Sequence, residues 1–286
     1  MITLSASTLG APGEDLAQVL AWLSQTGVPG IELRLSVGQI ADPTLTRARR
    51  RELRSRIADA GVVVTGIASY VRVASDVSDD MVLGALVGAL DFAADLGAPV
   101  VRVFPGAPVE PTPYGRIPEL LESREEVDAR AARRLSAVSD YAESCGVLPA
   151  LETHDSHPTG RQVAAVLNRV DGPVGAIWDL MHPWRVGEPL DETWAALGRW
   201  LSAAHGSVQI KDARLPESAT PLLVGEGTLP TAEFAQLLIR EGYAGPVTLE
   251  WERAWHPTAA PLDQALASAR RWQDTYFPRD PAGATA

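Results

Sequence analysis

The sequence predicts a single-domain α/β protein with the (β/α)8 barrel fold, and three observations support this prediction. The chain has 286 residues, somewhat more than the roughly 250 of a typical barrel of this kind. Short apolar runs of strand length alternate along the whole chain with longer amphipathic stretches at helical spacing. Nothing in this alternation marks a second domain, so one barrel is the primary interpretation and an open doubly wound sheet is the alternative.

The predicted elements follow one another as strand–helix pairs. The apolar runs predict strands at residues 2–7, 30–35, 62–70, 99–105, 148–154, 174–179, 207–212 and 246–251. The amphipathic stretches predict helices at residues 14–26, 44–60, 79–96, 125–144, 159–170, 190–204, 231–241 and 262–276. Several helices are followed by a glycine, which favours a left-handed C-cap because it has no Cβ: Gly27, Gly61, Gly97, Gly146 and Gly242. An open sheet more usually stops at about five to seven strands, so this pattern favours the closed barrel.

Two segments interrupt this rhythm. Residues 106–123 are rich in proline and follow the fourth strand, so they are predicted to form a long βα loop at the catalytic end of the barrel. A lid and an ordered surface insertion are both consistent with this composition. Residues 279–286 have little to bury and are predicted to form a frayed tail, which places the barrel at residues 1–278.

Charge and cysteine content exclude several classes of function. The formal net charge is −11, and an acidic surface repels the phosphodiester backbone, so nucleic acid is not expected as a partner. Cys145 is the only cysteine, which excludes an internal disulfide and a cysteine-based zinc site and fits a reducing compartment.

The sequence contains no predicted membrane segment. The N-terminal MITLSAST lacks the basic and then apolar run of a signal peptide. No stretch approaches the ~20 apolar residues that are needed to cross a bilayer. We therefore expect a soluble cytoplasmic protein with no membrane partner.

Four apolar segments each end in a side chain that can bind a divalent cation: Glu152, Asp179, Gln209 and Glu250. A parallel barrel gathers the carboxyl ends of its strands around one point. Carboxylates held close together repel one another unless a cation lies between them. Any one of these residues alone could cap a helix or form a salt bridge, but four in four consecutive strands favour a metal site.

The ligand types narrow the choice of ion. Carboxylate and amide oxygens without a thiolate suit hard or intermediate ions, so Mn2+ or Mg2+ is expected. Co2+ and Zn2+ stay open as alternatives, particularly if His182 also coordinates the ion.

With these residues the chain resembles the xylose isomerase-like TIM-barrel superfamily, whose members are often described as sugar phosphate isomerases and epimerases. The motifs that carry the resemblance are GIELR (30–34), LETH (151–154), WDLMH (178–182), VQIKDA (208–213), VGEGTLP (224–230) and GYAGPVTLEWE (242–252). The resemblance implies one divalent metal held by Glu152, Asp179, Gln209 and Glu250. It also implies His182 as the histidine three residues after the aspartate, and a homodimer or homotetramer.

One departure from the superfamily pattern is informative. Most members have histidine where this chain has Gln209, and glutamine there is similar to hydroxypyruvate isomerases and to some 3-dehydroshikimate dehydratases. The chain reads KDARLPES after the seventh strand, so it lacks the Pro-Gly-Arg stretch of hydroxypyruvate isomerases. The LETH motif is more similar to the dehydratase or inosose-processing members of the superfamily.

The expected reaction is metal-dependent isomerisation or epimerisation of a small sugar or hydroxy-keto compound. Adjacent carbonyl and hydroxyl oxygens of a substrate would chelate the metal, which would polarise the carbonyl and stabilise an enediolate. The resemblance to the epimerases implies that Glu152 and Glu250 lie on opposite sides of the ion, so that one takes a proton and the other returns it. If a β-hydroxyl leaves instead, with His182 or His154 as proton donor, the reaction is dehydration of a cyclic hydroxy-ketone such as 3-dehydroshikimate or an inosose.

Lys211 is the only lysine in the chain and follows Gln209 on the same predicted strand face. One interpretation is that it orients a substrate oxygen or carboxylate. The other is that it forms a buried ion pair with Glu250 or Glu252.

Other polar residues near the predicted strand ends are further candidates for substrate binding. Arg102 and Arg214 are candidates for contact with an anionic group, with a structural salt bridge as the alternative for each. His154 is a third candidate. Glu32 and Arg34 stand two residues apart on the second strand, and they are predicted to pair with each other.

Two functions from other classes are disfavoured. The endonuclease branch of the same barrel uses a three-metal cluster rich in histidine, whereas this chain has five histidines and an acidic composition. A non-enzymatic barrel that only binds ligands is disfavoured because the predicted metal ligands are all present.

Overall fold

The computed structural model describes residues 2–201 and 205–278. Within these residues, parallel strands close into one barrel: β1 (Thr3–Ser7), β2 (Gly30–Arg34), β3 (Val63–Arg72), β4 (Val100–Phe104), β5 (Leu148–Glu152), β6 (Gly175–Asp179), β7 (Ser207–Ile210) and β10 (Pro246–Leu249). Between the last two lies an antiparallel hairpin of β8 (Asp212–Arg214) and β9 (Ser218–Leu222). The predicted (β/α)8 barrel is confirmed.

Helices surround the barrel and follow its strands along the chain. They are α1 (Leu16–Thr26), α2 (Arg47–Asp59), α3 (Asp79–Leu96), α4 (Arg124–Ala137), α5 (Ser139–Cys145), α6 (Gly160–Leu167), α7 (Met181–Arg185), α8 (Leu190–Leu197), α9 (Thr231–Arg240) and α10 (Leu262–Tyr276). None of those in the described ranges combines the length and the apolar character that a membrane-spanning helix needs.

The apolar residues divide into two layers. Most of them form one cluster between the strands and the helices. Val100, Ala150 and Ile177 form a separate small cluster, and each stands two residues before a charged residue of the same strand. Because residues two apart share a strand face, the barrel interior also receives the side chains of Arg102, Glu152 and Asp179. This small cluster therefore forms an apolar layer of the barrel interior, below the layer of charged side chains.

The predicted helix at residues 125–144 is two helices in the structure. The break lies at Val138, whose φ and ψ are −107° and 2°. Just before it, the Ser136 hydroxyl donates a hydrogen bond of 2.8 Å to the carbonyl of Ala132, a contact that often bends helices. The prediction of one continuous helix was wrong.

Other boundaries differ near the end of the barrel. The helix predicted at residues 190–204 ends at Leu197 and continues as a 3-10 turn over Gly198–Trp200. Its predicted last residues, 202–204, lie outside the described residues, as does the predicted tail at 279–286. The short helix α7 and the β8–β9 hairpin were not predicted, because elements of three to five residues are too short to show a period.

The proline-rich segment 106–123 is an ordered loop in the structure. The Glu110 amide donates a hydrogen bond of 2.9 Å to the carbonyl of Glu119, which joins the two arms of the loop. At its start, the Gly106 amide donates a hydrogen bond of 2.9 Å to Asp155 Oδ1. The loop is therefore attached to the segment that follows β5, and its role as a lid stays a prediction.

Two glycines are expected to respond in opposite ways to replacement by alanine. A Cβ on Gly206 would lie 1.9 Å from the carbonyl oxygen of Ala176, whereas a Cβ on Gly84 in α3 would meet nothing within 4 Å. We expect Gly206→Ala to lower the free energy of unfolding by about 3 kcal/mol. Gly84→Ala should raise it by about 0.5–1 kcal/mol, because alanine loses less backbone entropy in a helix. Urea denaturation measures both, and destabilisation by Gly84→Ala would contradict the close-approach argument.

Candidate functional site

The predicted ligand residues meet at the carboxyl-terminal mouth of the barrel. Glu152 and Asp179 are the last residues of β5 and β6, Gln209 lies in β7, and Glu250 directly follows β10. All four side chains are buried. One oxygen from each of Glu152, Asp179 and Glu250 lies within 4.8 Å of the other two. Barrel closure thus brings together residues almost 100 positions apart in the sequence.

Two buried cations lie among these carboxylates. Arg102 Nε is 3.2 Å from Glu152 Oε2, and Arg102 Nη1 donates a hydrogen bond of 3.0 Å to Glu250 Oε1. Lys211 Nζ lies 2.8 Å from Asp179 Oδ2 and 2.5 Å from Glu250 Oε2. For both Lys211 and Arg102, the structure contains the ion pairs that were predicted as the alternative to substrate contact.

Lys211 also contacts a third carboxylate, since its Nζ lies 2.8 Å from Glu252 Oε1. Burial works to lower the pKa of Lys211, but Asp179, Glu250 and Glu252 outweigh it and hold this pKa well above its usual value. The ammonium group is therefore charged at neutral pH, and its Nζ lies within 2.8 Å of three carboxylates.

Several ligand atoms in the site have no hydrogen bond within the described residues. They are both oxygens of Glu152, Asp179 Oδ2 and Gln209 Oε1. Glu152 Oε2 and Asp179 Oδ2 still contact Arg102 and Lys211 as ion pairs, whereas Glu152 Oε1 and Gln209 Oε1 have neither contact among the described residues. Buried polar atoms are almost always paired in native structures, so these two oxygens need a partner. Carboxylate and amide oxygens in this arrangement fit a hard divalent cation.

The two carboxylates assigned to proton transfer differ in their electrostatic environment. Burial raises the pKa of Glu152 well above its usual value, and the nearby Glu250 and Asp179 add to this shift while Arg102 opposes it. For Glu250, burial also acts to raise the pKa, but Lys211 and Arg102 outweigh it and lower the pKa. Two carboxyl groups with opposite shifts are suited to different roles in proton transfer.

Two histidines border the cluster on the side of Glu152. His182 lies on α7, and its Nε2 is 3.6 Å from Asp179 Oδ2. The His154 ring packs edge-on against the His182 ring with their centroids 4.5 Å apart. Burial lowers the pKa of His182 well below its usual value, and His154 adds to this effect. His182 is thus neutral at physiological pH, with one ring nitrogen able to donate and the other to accept.

The segment after β5 is held by its own hydrogen bonds. Asp155 has a positive φ of 35°, and its Oδ2 lies 3.4 Å from His154 Nδ1. His157 is fully buried and lies 3.0 Å from both the Ser156 hydroxyl and Asp128 Oδ1. These contacts tie the residues that follow Glu152 to helix α4, which fixes His154 next to the cluster.

Two predictions about charged residues have different outcomes. Glu32 and Arg34 do not pair: Glu32 is buried, which raises its pKa while the positive charge of Arg102 opposes this shift, whereas Arg34 lies against Tyr70 and Trp255. That prediction was wrong. Arg214 is exposed at the end of β8, and its side chain makes no ion pair or hydrogen bond with the cluster in the described residues. Its substrate contact stays a prediction.

An aromatic wall beside the cluster was not predicted. Phe104 lies 4.3 Å from the His154 ring and Tyr70 lies 5.9 Å from Phe104, measured between ring centroids. The guanidinium of Arg102 lies 4.3 Å from the Phe104 centroid. Phe104 shares a strand face with Arg102, two residues away, so the alternation that selected Arg102 could also have selected Phe104.

Comparison with known proteins shows the family of this chain. Residues 20–275 match the model of the xylose isomerase-like TIM barrel family. The chain belongs to this family. The resemblance noted from the motifs is therefore confirmed, together with the barrel fold.

Proteins similar to this chain include one relative in sequence and several solved structures with the same fold. The chain is 29% identical over 251 residues to a putative hydroxypyruvate isomerase of Streptomyces coelicolor, covering 81% of this chain and 84% of the relative. Its fold is similar to the probable 3-DHS dehydratase AsbF of Bacillus anthracis, with a TM-score of 0.74, 16% identity and coverage of 96% and 100% of the two chains. It is also similar to the IolI protein with a bound zinc atom, with a TM-score of 0.77, 16% identity and coverage of 97% and 100%.

Proposed function

We propose that this protein is a divalent-metal-dependent isomerase or epimerase that moves a proton on a carbon next to the carbonyl group of a small sugar or hydroxy-keto compound. The observation that carries the proposal is the convergence of three buried carboxylates whose oxygens include several without a hydrogen bond. The relationship to a putative hydroxypyruvate isomerase supports the same class of reaction.

The metal would be held by the four strand-end residues Glu152, Asp179, Gln209 and Glu250. Their oxygens favour Mn2+ or Mg2+, and the proximity of His182 Nε2 to Asp179 keeps Co2+ and Zn2+ as alternatives. A bound divalent cation would supply Lewis-acid chemistry by polarising the substrate carbonyl and stabilising negative charge on its oxygen.

The protein's own residues would carry the proton. In this proposal Glu152 removes the proton from the carbon next to the carbonyl, and Glu250 returns a proton to the neighbouring carbon or to the opposite face. Arg102 binds both carboxylates, so it fixes the distance between them. Lys211 holds Glu250 and Asp179 in place from the other side.

Dehydration of a cyclic hydroxy-ketone is the second candidate, and one observation favours it. Ligand atoms of Glu152, His154 and His182 all lie within 4.8 Å of one another. A histidine so close to the base is placed to protonate a departing hydroxyl group after the same proton abstraction. The fold similarity to AsbF is consistent with this alternative.

A product screen in D2O separates the two reactions. The purified protein with Mn2+ is incubated with ketoses, hydroxypyruvate, inososes and 3-dehydroshikimate, and products are identified by NMR. We expect solvent deuterium in an isomer of one candidate, and chelation by EDTA should abolish the exchange. An alkene product would favour dehydration instead, and an absence of exchange with every candidate would contradict both.

A further inference from the structure

Arg34 is positioned at the mouth of the barrel by a rigid strand. It is the last residue of β2, and its backbone amide donates a hydrogen bond of 2.9 Å to the hydroxyl of Thr8. Its Nε donates a hydrogen bond of 2.6 Å to the Tyr70 hydroxyl. Its Cζ lies 5.3 Å from the centroid of the Tyr70 ring and 4.8 Å from that of Trp255. Two aromatic rings thus flank the guanidinium.

The charge of Arg34 is not neutralised by any carboxylate in the described residues. Glu32, the nearest acid in the sequence, is buried and forms no ion pair with Arg34. With Nε bound to Tyr70, both Nη groups lack a hydrogen-bond partner among the described residues. Aromatic rings attract a guanidinium without neutralising its charge, so the two Nη groups form an available donor pair whose position is held by Tyr70 and Trp255.

This guanidinium is adjacent to the proposed reaction site. The Tyr70 ring that binds Arg34 also lies 5.7 Å from the guanidinium carbon of Arg102, and Arg102 binds Glu152 and Glu250. Trp255 follows β10 on the same chain segment as Glu250 and is 57% exposed. The Tyr70 ring therefore lies within 6 Å of both guanidinium carbons, which places Arg34 on the side of Tyr70 next to the arginine that binds the carboxylate cluster.

We propose that Arg34, with Tyr70 and Trp255, forms a carboxylate-binding subsite, so that the substrate is a small hydroxy-keto acid rather than a neutral sugar. This inference rests on the proposed function, which identifies the reacting end of the substrate. Two parallel N–H donors match a carboxylate in bidentate geometry. A phosphate would normally have further cations or a glycine-rich loop, whereas Arg102 and Lys211, the two cations of the cluster, are already ion-paired with carboxylates.

The test compares acids with neutral counterparts on the Mn2+-loaded protein. Binding of hydroxypyruvate and 1,3-dihydroxyacetone forms one pair, and binding of 3-dehydroshikimate and an inosose forms the other, measured by isothermal titration calorimetry. We expect at least one acid to bind more tightly than its neutral counterpart. Arg34→Met should weaken binding of that acid by about 10- to 100-fold and change binding of the neutral compound by less than about threefold.

Two further variants serve as controls. Arg34→Lys keeps the charge without the paired donors and should restore only part of the affinity for the acid. Arg51→Met removes an exposed arginine of α2 and should change neither affinity. Thermal unfolding of each variant confirms that it is folded.

The proposal is overturned if no acid binds more tightly than its neutral counterpart, or if the preference survives Arg34→Met. Turnover of a neutral ketose with no effect of Arg34→Met would overturn the subsite and leave the proposed reaction intact. An acid preference that depends on Arg34, without deuterium exchange on any compound, would support the subsite and contradict the proposed reaction.

Discussion

Replacing Glu152 with glutamine is expected to reduce turnover by about 1,000-fold or more while the barrel stays folded. Glutamine keeps the size of the side chain but cannot accept a proton from carbon, and general-base catalysis of this kind contributes roughly 100- to 10,000-fold. The variant also removes one of the carboxylates bound to Arg102, which retains Glu250 as a partner. The measurement is kcat on the substrate that the D2O screen identifies, together with metal content and circular dichroism.

A buried carboxylate elsewhere in the barrel provides the matched control. Glu188 accepts hydrogen bonds of 2.6 Å from the Gly160 amide and 2.8 Å from the Thr193 hydroxyl. Glu188→Gln is therefore expected to lower stability but to keep kcat within about threefold, since a folded protein retains its site. Turnover of Glu152→Gln within tenfold of the unaltered protein would remove Glu152 from the mechanism.

Replacing Lys211 with methionine is expected to lower the free energy of unfolding of the metal-free protein by about 3–5 kcal/mol. Lys211 Nζ contacts Asp179, Glu250 and Glu252. Methionine keeps much of the apolar volume but leaves these carboxylates to repel one another in a buried site, where an uncompensated charge is costly. Urea denaturation in EDTA measures the loss.

Divalent metal gives this prediction a second measurement. A cation bound between the carboxylates would replace part of the missing charge, so Mn2+ should raise the melting temperature of Lys211→Met more than that of the unaltered protein. Arg51→Met, which removes an exposed cation of α2, should show neither the loss nor the larger metal effect. Equal responses to Mn2+ in both proteins would contradict a metal site beside Lys211.

Most strands and helices of the barrel could be predicted because each has a recognisable pattern of apolar residues in its own sequence. Buried parallel strands read as apolar runs, and α3 and α10 have the bounds that helical spacing predicted. The break at Val138 was missed because α4 and α5 both keep apolar residues at helical spacing, and the bend arises from a serine hydroxyl that bonds back to the helix. The β8–β9 hairpin was missed because a three-residue strand gives no pattern to detect.

The ligand set was predictable for a different reason. In a closed parallel barrel every strand ends at the same mouth, so the position of Glu152, Asp179 and Glu250 at strand ends was sufficient to expect them close together. The predicted ion pair between Glu32 and Arg34 was wrong, because residues on the same strand face can each interact with side chains of other strands instead of with each other. Their actual neighbours, Arg102 and Trp255, lie far away in the sequence.

The sequence by itself determined the fold class, the strand-end position of the four predicted ligands and the acidic character of the chain. These depend on periodicity, composition and a general property of parallel barrels. Only the tertiary structure decided that Lys211 and Arg102 lie between the carboxylates and that Arg34 faces the mouth without an acidic partner in the described residues. Such pairings depend on distances between side chains of different strands, and barrel closure sets those distances.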